Sequence, residues 1–136
     1  MITKREFYIN GKWVAPLEAR DCPVIDPSTE EVCAVISLGS EADTDAAVAA
    51  ATAAFPGWAA TPWADRQAAC ARIAGMIADH AEELARLLTT EQGKPLNGAG
   101  SRFEIGGWQA WTGYTASLRL ETEILQDRPE GRVELK

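Results

Sequence analysis

The pair Asn10-Gly11 constrains this chain more tightly than any other two adjacent residues in it. Both residue types accept a positive φ, as the two central positions of a type I′ turn require. Strand formers flank the pair, Phe7-Tyr8-Ile9 before it and Lys12-Trp13-Val14 after it. A two-residue hairpin is expected there. A second strand pair follows, Val24-Ile25 with Val32-Cys33-Ala34-Val35-Ile36. Between them, Asp26-Pro27-Ser28-Thr29-Glu30-Glu31 has the composition of a turn.

Beyond Gly39 the signals become helical. Ser40 is a good N-cap, with Asp43 three residues on as in a capping box. Alanine dominates from Ala46 to Ala54, so the helix can approach a sheet or another helix closely, and Pro56-Gly57 is expected to end it. Thr61-Pro62 reads as the N-cap and first position of a second helix. Its apolar stripe runs through Ala69, Ile73, Met76 and Ile77, bends near Asp79-His80 and continues through Leu84, Leu87 and Leu88. Gly93 and Pro95 stop it. Phe103, Gly107, Ala110, Trp111 and Tyr114 mark a third long helix. Gly106, Gly107 and Gly113 each cost that helix about 1 kcal/mol relative to alanine, so close packing against another backbone is expected to compensate. From Leu120 the pattern alternates again around Asp127-Arg128-Pro129-Glu130-Gly131, a hairpin whose second strand runs to Lys136.

The 136 residues suit one domain and are 46% hydrophobic and 24% charged, near the globular average. The net charge is −7, which repels phosphate backbones and argues against nucleic acid as a partner. The N-terminus lacks the apolar region of a secretory signal, and no apolar run approaches the roughly 20 residues of a membrane span. Cys22, Cys33 and Cys70 fit no disulfide or zinc spacing, so free thiols and a cytoplasmic location are expected.

Five phrases together resemble the N-terminal segment of NAD(P)-dependent aldehyde dehydrogenases. They are YINGKWV at 8–14, VIDPSTEEV at 24–32, ADTDAAVAAATAAFPGW at 42–58, RIAGMIADHAEELARLLTTEQGKPL at 72–96, and FEIGG followed by Tyr114. The resemblance implies an α/β fold: β-hairpins, three long helices and a terminal hairpin. Residues 1–119 would be the N-terminal part of the cofactor-binding domain, and 120–136 the start of the oligomerisation hairpin. It implies oxidation of an aldehyde to a carboxylic acid with NAD or NADP. A cysteine nucleophile, a general-base glutamate and an oxyanion asparagine would carry the chemistry. None of the family's phrases for those groups, or for its phosphate-binding loop, occurs in this sequence. No catalytic or cofactor-binding residue is therefore assigned, and the chain alone is expected to be inactive and to hold no nicotinamide cofactor tightly. Self-association, or docking onto a full-length homologous subunit, is the expected partnership.

Several motifs invite a sharper reading and are better explained structurally. Glu104-Ile105-Gly106-Gly107 imitates the family's general-base phrase but lies inside a helix, so Glu104 is expected to cap or pair with a neighbouring segment. Cys33 in an apolar strand and Cys70 in a helix read as inert thiols. His80 has no orienting constellation and reads as a bend or cap residue. Gly98-Ala99-Gly100 lacks phosphate-loop spacing and reads as a helix entry. Trp58, Trp63, Trp108 and Trp111 are expected in the core or at subdomain contacts. One site follows from the resemblance. Glu91 aligns with an acidic position that helps hold a structural monovalent cation, with a backbone carbonyl of Val24 or Ile25 as a second oxygen ligand.

Overall fold

The computed structural model describes residues 1–119 and 121–135. Leu120, at the expected boundary of the terminal hairpin, and Lys136, at its expected end, lie outside the described residues. The strands are β1 (Ile2–Lys4), β2 (Phe7–Ile9), β3 (Lys12–Val14), β4 (Asp21–Asp26) and β5 (Glu31–Ser37). Four helices follow: α1 (Glu41–Ala60), α2 (Trp63–Asp79), α3 (Ala81–Gln92) and α4 (Ser101–Ser117). A last hairpin joins β6 (Glu123–Arg128) to β7 (Gly131–Leu135). The fold is α/β, as expected.

Turn chemistry sets the N-terminal strands. Asn10 and Gly11 take φ of 51° and 75°, and Phe7, Tyr8 and Ile9 pair with Val14, Trp13 and Lys12. Tyr8 and Trp13 meet edge to face with ring centroids 5.3 Å apart. In the next hairpin the Asp26 carbonyl accepts from the Glu30 amide at 2.8 Å, and Glu30 adopts a φ of 61°. β5 is the middle strand of a three-stranded sheet, antiparallel to β4 and parallel to β1. Pro23 is tolerated because β4 is an edge strand. The strand β1 has no signal in the sequence. Among the described residues its one ladder is with β5, where Ile2 pairs with Ala34.

The capping box forms as expected: Ser40 Oγ accepts from the Asp43 amide, and Asp43 accepts from the Ser40 amide. The helix end differs. α1 continues through Pro56 to Ala60. Residues 51–60 are exposed, so the Thr52 carbonyl that Pro56 cannot pair is open to water, and the proline costs less than in a packed helix. Thr61 closes α1 instead of opening α2, its amide reaching the Trp58 carbonyl at 3.1 Å and its hydroxyl the Gly57 carbonyl at 3.0 Å. Pro62 takes the N-cap position of α2 and accepts from the Asp65 and Arg66 amides. The bend at His80 is a break that divides one expected helix into α2 and α3. The His80 amide ends the first at Met76 and its carbonyl starts the second at Leu84.

The core is small and lies among α2, α3 and α4. Ile77, Ala85 and Ile105 are buried, with Ala81, Leu84, Leu88 and Leu96 packed around them. The tryptophans are not part of it. Trp58, Trp63, Trp108 and Trp111 are 51%, 37%, 50% and 71% exposed. The backbone approach expected at Gly106, Gly107 and Gly113 is also missing, for a β-carbon there would meet nothing within 4 Å. The accessible surface is 10157 Å², whereas a compact monomer of this mass exposes about 6,900 Å².

Candidate functional site: the connection between α3 and α4

Glu91 stands near the end of α3, one residue before Gln92 closes the helix. Gly93 then turns the chain with a φ of 67°, its amide returning to the Thr89 carbonyl at 2.8 Å. A side chain at Gly93 would strain the left-handed backbone and meet Pro27 Cβ at 3.0 Å. The glycine thus ends α3 against the turn that leaves β4. α3 also packs on β4 itself, which carries Val24 and Ile25.

The structure therefore brings the two elements of the expected cation site together. Glu91 is exposed, Ile25 is 43% exposed and Val24 is half-buried. The Val24 carbonyl accepts from Cys33 Sγ at 3.3 Å. Among the described residues no group of three or more histidine, cysteine or acidic side chains could hold a metal ion. The donors on offer are one carboxylate and carbonyl oxygens, which suits a hard, singly charged cation better than zinc.

The segment from Lys94 to Ser101 is tied down at both ends. The Ser101 amide donates to the Pro95 carbonyl at 2.9 Å and the Arg102 amide to that of Leu96 at 3.2 Å. These bonds use two of the amides that a helix N-terminus leaves unpaired. Gly100 makes the close crossing possible, since a β-carbon there would lie 1.7 Å from the Pro95 carbonyl oxygen. Gly98-Ala99-Gly100 is thus a helix entry, as expected. Ser101 is fully buried and its hydroxyl bonds Thr89 Oγ1 at 2.8 Å.

Two ion pairs frame the segment. Lys94 Nζ holds both oxygens of Glu104 at 2.7 Å, so this carboxylate pairs with a neighbouring segment, as expected, and is committed to a structural contact. Arg102 binds Glu82 through Nε at 2.9 Å and Nη2 at 2.7 Å, and its Nη1 donates to Asn97 Oδ1. Hydrogen bonding from Arg102, with its charge and that of Arg86, pulls the Glu82 carboxyl from 4.5 to about 2 against a partial desolvation.

No nucleophile and base converge here. His80 Nδ1 lies 3.1 Å from Glu83 Oε2 on the open surface, at the α2–α3 junction. Cys22, Cys33 and Cys70 are free, on β4, β5 and α2, and each is half-buried, not fully buried. Sequence patterns missed the long-range polar contacts. Arg5 grips Asp21 at 2.6 and 2.8 Å, and Asp43 accepts from the Leu17 amide at 2.9 Å. Backbone donors at Ser40 and Leu17 lower the Asp43 carboxyl below its usual range. The acidic cap was legible from Ser40, but its third partner was not.

Residues 13–132 match the aldehyde dehydrogenase family. Over 92 residues, 68% of this chain, it is 42% identical to a 3-succinoylsemialdehyde-pyridine dehydrogenase of a Pseudomonas species. Over 99 residues it is 39% identical to malonate-semialdehyde dehydrogenase 1 of Geobacillus thermodenitrificans. These matches span 19% and 20% of the two relatives, so the chain corresponds to about a fifth of their length. Among solved structures, an aldehyde dehydrogenase of Bartonella henselae superposes with a TM-score of 0.84 at 34% identity, covering 96% of this chain and 28% of that one. Lactaldehyde dehydrogenase of Escherichia coli gives 0.83 at 30% identity, covering 95% and 27%. The chain with the β1-β5-β4 sheet and the α2–α4 core belongs to the aldehyde dehydrogenase family.

Proposed function

We propose that this chain is the N-terminal part of the cofactor-binding domain of an NAD(P)-dependent aldehyde dehydrogenase. Its role there is to support the fold, not to carry the chemistry. The observation that carries the reading is the match across residues 13–132, together with a fold in which 96% of this chain follows a dehydrogenase structure. In such an enzyme an aldehyde, water and oxidised nicotinamide give a carboxylic acid and reduced nicotinamide. One structural neighbour is a Pseudomonas syringae enzyme in complex with NAD+ and octanal, and another neighbour is in complex with NAP. These support NAD or NADP as the cofactor of the whole enzyme. Three free thiols support a reducing, cytoplasmic setting.

The 136-residue chain alone should be inactive. Glu82 and Glu104 are engaged in ion pairs with Arg102 and Lys94. Losing a single oxyanion donor costs roughly 100–1000-fold in rate, and none of the family's catalytic phrases is present. Purified chain should produce no reduced nicotinamide from a panel of aldehydes with NAD or NADP. A rate above the protein-free control that scales with chain concentration would refute this. Calorimetric titration should likewise find no micromolar cofactor binding.

A second reading rests on the surface. With about half as much surface again as a compact monomer, and with Phe103, Trp108, Trp111 and Tyr114 exposed on α4, the chain suits association. It would dock onto itself or onto a full-length homologous subunit, and the edges of the β6–β7 hairpin would add strands. Light scattering should find species larger than one chain, and a monodisperse monomer with strongly protected core amides would overturn this reading. Glu91, with the carbonyls of Val24 and Ile25, would supply part of a monovalent cation site. Potassium should then raise the melting temperature of the native chain more than that of Glu91→Gln, and an equal response in both would remove the site.

A further inference from the structure

Two Asn-Gly pairs lie in the described chain, Asn10-Gly11 and Asn97-Gly98. All four residues are exposed, and the glycines have φ of 75° and 66°. In such a pair the glycine nitrogen can attack the asparagine side chain, because no β-carbon on the glycine blocks the approach. The five-membered ring closes only if the asparagine backbone rotates to bring that nitrogen onto Cγ.

The structure sets the two pairs apart. Asn10 sits in the left-handed region at φ 51°, clamped by the pairing of Ile9 with Lys12 and by the Tyr8–Trp13 ring contact. Rotation there would break the turn. Asn97 has an ordinary negative φ and lies in the irregular segment between α3 and α4, outside any strand ladder. Its side-chain oxygen also has a cationic donor already in place. Arg102 spends Nε and Nη2 on Glu82 and directs Nη1 to Asn97 Oδ1. When Cγ is attacked, negative charge develops on that same oxygen. A preplaced guanidinium N–H stabilises the charge without further reorganisation.

We propose that Asn97-Gly98 is a self-modification site at which Arg102 promotes conversion of Asn97 to aspartate or isoaspartate. The Gly98 N–H gives its proton to a solvent base, and the nitrogen forms a bond to Asn97 Cγ. The Cγ–Nδ2 bond then breaks, and Nδ2 leaves as ammonia with a proton from solvent. Water opens the cyclic imide at either carbonyl. No oxidant or reductant takes part. The aspartate product carries a carboxylate next to Arg102. The isoaspartate product lengthens the backbone inside the segment held by the Pro95–Ser101 and Leu96–Arg102 hydrogen bonds.

The test is time-resolved peptide mapping of the whole chain in warm, mildly alkaline buffer, with Asn10 as the internal reference. Asn97 should convert first. Arg102→Gln should slow Asn97 by about tenfold, less than a buried oxyanion donor provides because water screens the exposed site, and should leave Asn10 unchanged. Arg102→Lys should keep part of the effect. Glu82→Gln, which leaves the guanidinium in place, should not slow Asn97. If the segment reacted only because it is loose, Arg102→Gln would accelerate Asn97 instead. That result, Asn10 converting first, or no conversion at either site would overturn the proposal.

Discussion

Two long helices of this protein are held by different means. α1 has 20 residues, and its last ten are exposed on every side. It stands on alanine propensity and on its capping box, both local. α4 has 17 residues, three of them glycines in open space, and its N-cap makes no side-chain hydrogen bond. By propensity it is the poorer helix. It is fixed instead by Ser101 and Ile105, buried against α2 and α3, and by the Gly100 crossing. The comparison separates helix formed by sequence from helix formed by packing, and the energetic consequences should differ accordingly.

The largest expected effect is at the packed end. Ile105→Ala removes a core side chain and should cost roughly 2–5 kcal/mol, read as a shifted urea midpoint. A loss as small as that of a surface substitution would mean that α4 does not depend on its core. Next comes Gly100→Ala, which sets a β-carbon on the Pro95 carbonyl. It should cost roughly 3 kcal/mol, with lost amide protection at the start of α4. Unchanged protection would mean that the crossing relaxes freely. At the start of α1, Ser40→Ala should cost about 1 kcal/mol, measured by the same denaturation. The smallest effect belongs to the exposed half of α1, where Phe55→Ala should stay within about 0.5 kcal/mol. A large loss there would show that α1 is packed in solution and would erase the contrast.

Acid sharpens the same comparison. The Glu82 carboxyl titrates near 2 in the folded chain, against 4.5 ordinarily, and Asp43 is lowered as well. Both lowered groups stabilise the fold above the ordinary carboxylate range and lose that contribution as pH falls toward 2. Glu82→Gln should flatten this acid limb for the α3–α4 region while leaving the α1 cap unchanged. An acid limb identical to that of the native chain would contradict the assignment.

The turns were legible because their chemistry is local. Asn10-Gly11, the Asp26–Glu31 turn, the Ser40 cap and the Gly93 stop each act within a few residues of themselves. Thr61 misled because a threonine before proline can serve either helix, and only the Gly57 carbonyl within reach decided which. Pro56 misled because proline weakens a helix, by about 3 kcal/mol, without always ending it, and α1 runs on through it to Ala60. The tryptophans are absent from the core that the described residues form, because burial needs a covering partner, which composition does not provide. For the candidate site, Glu91 and Gly93 could be read from the sequence, and the family resemblance set Glu91 beside Val24 or Ile25; the packing of α3 on β4 that this requires is present in the fold.

What the sequence determined by itself is the order of most elements (β1 and the α2–α3 break excepted), the Asn10-Gly11 turn, the capping box and the family, all carried by contiguous phrases. What only the tertiary structure decided is the parallel pairing of β1 with β5, the small core around Ile77, Ala85 and Ile105, and the grip of Arg102 on Glu82 and Asn97. The physical reason is range. A turn or cap is settled by backbone dihedrals and hydrogen bonds between near neighbours, whereas these contacts join residues up to 32 positions apart, as at Ile2 and Ala34. Their free energy appears only when the chain has closed the intervening loop.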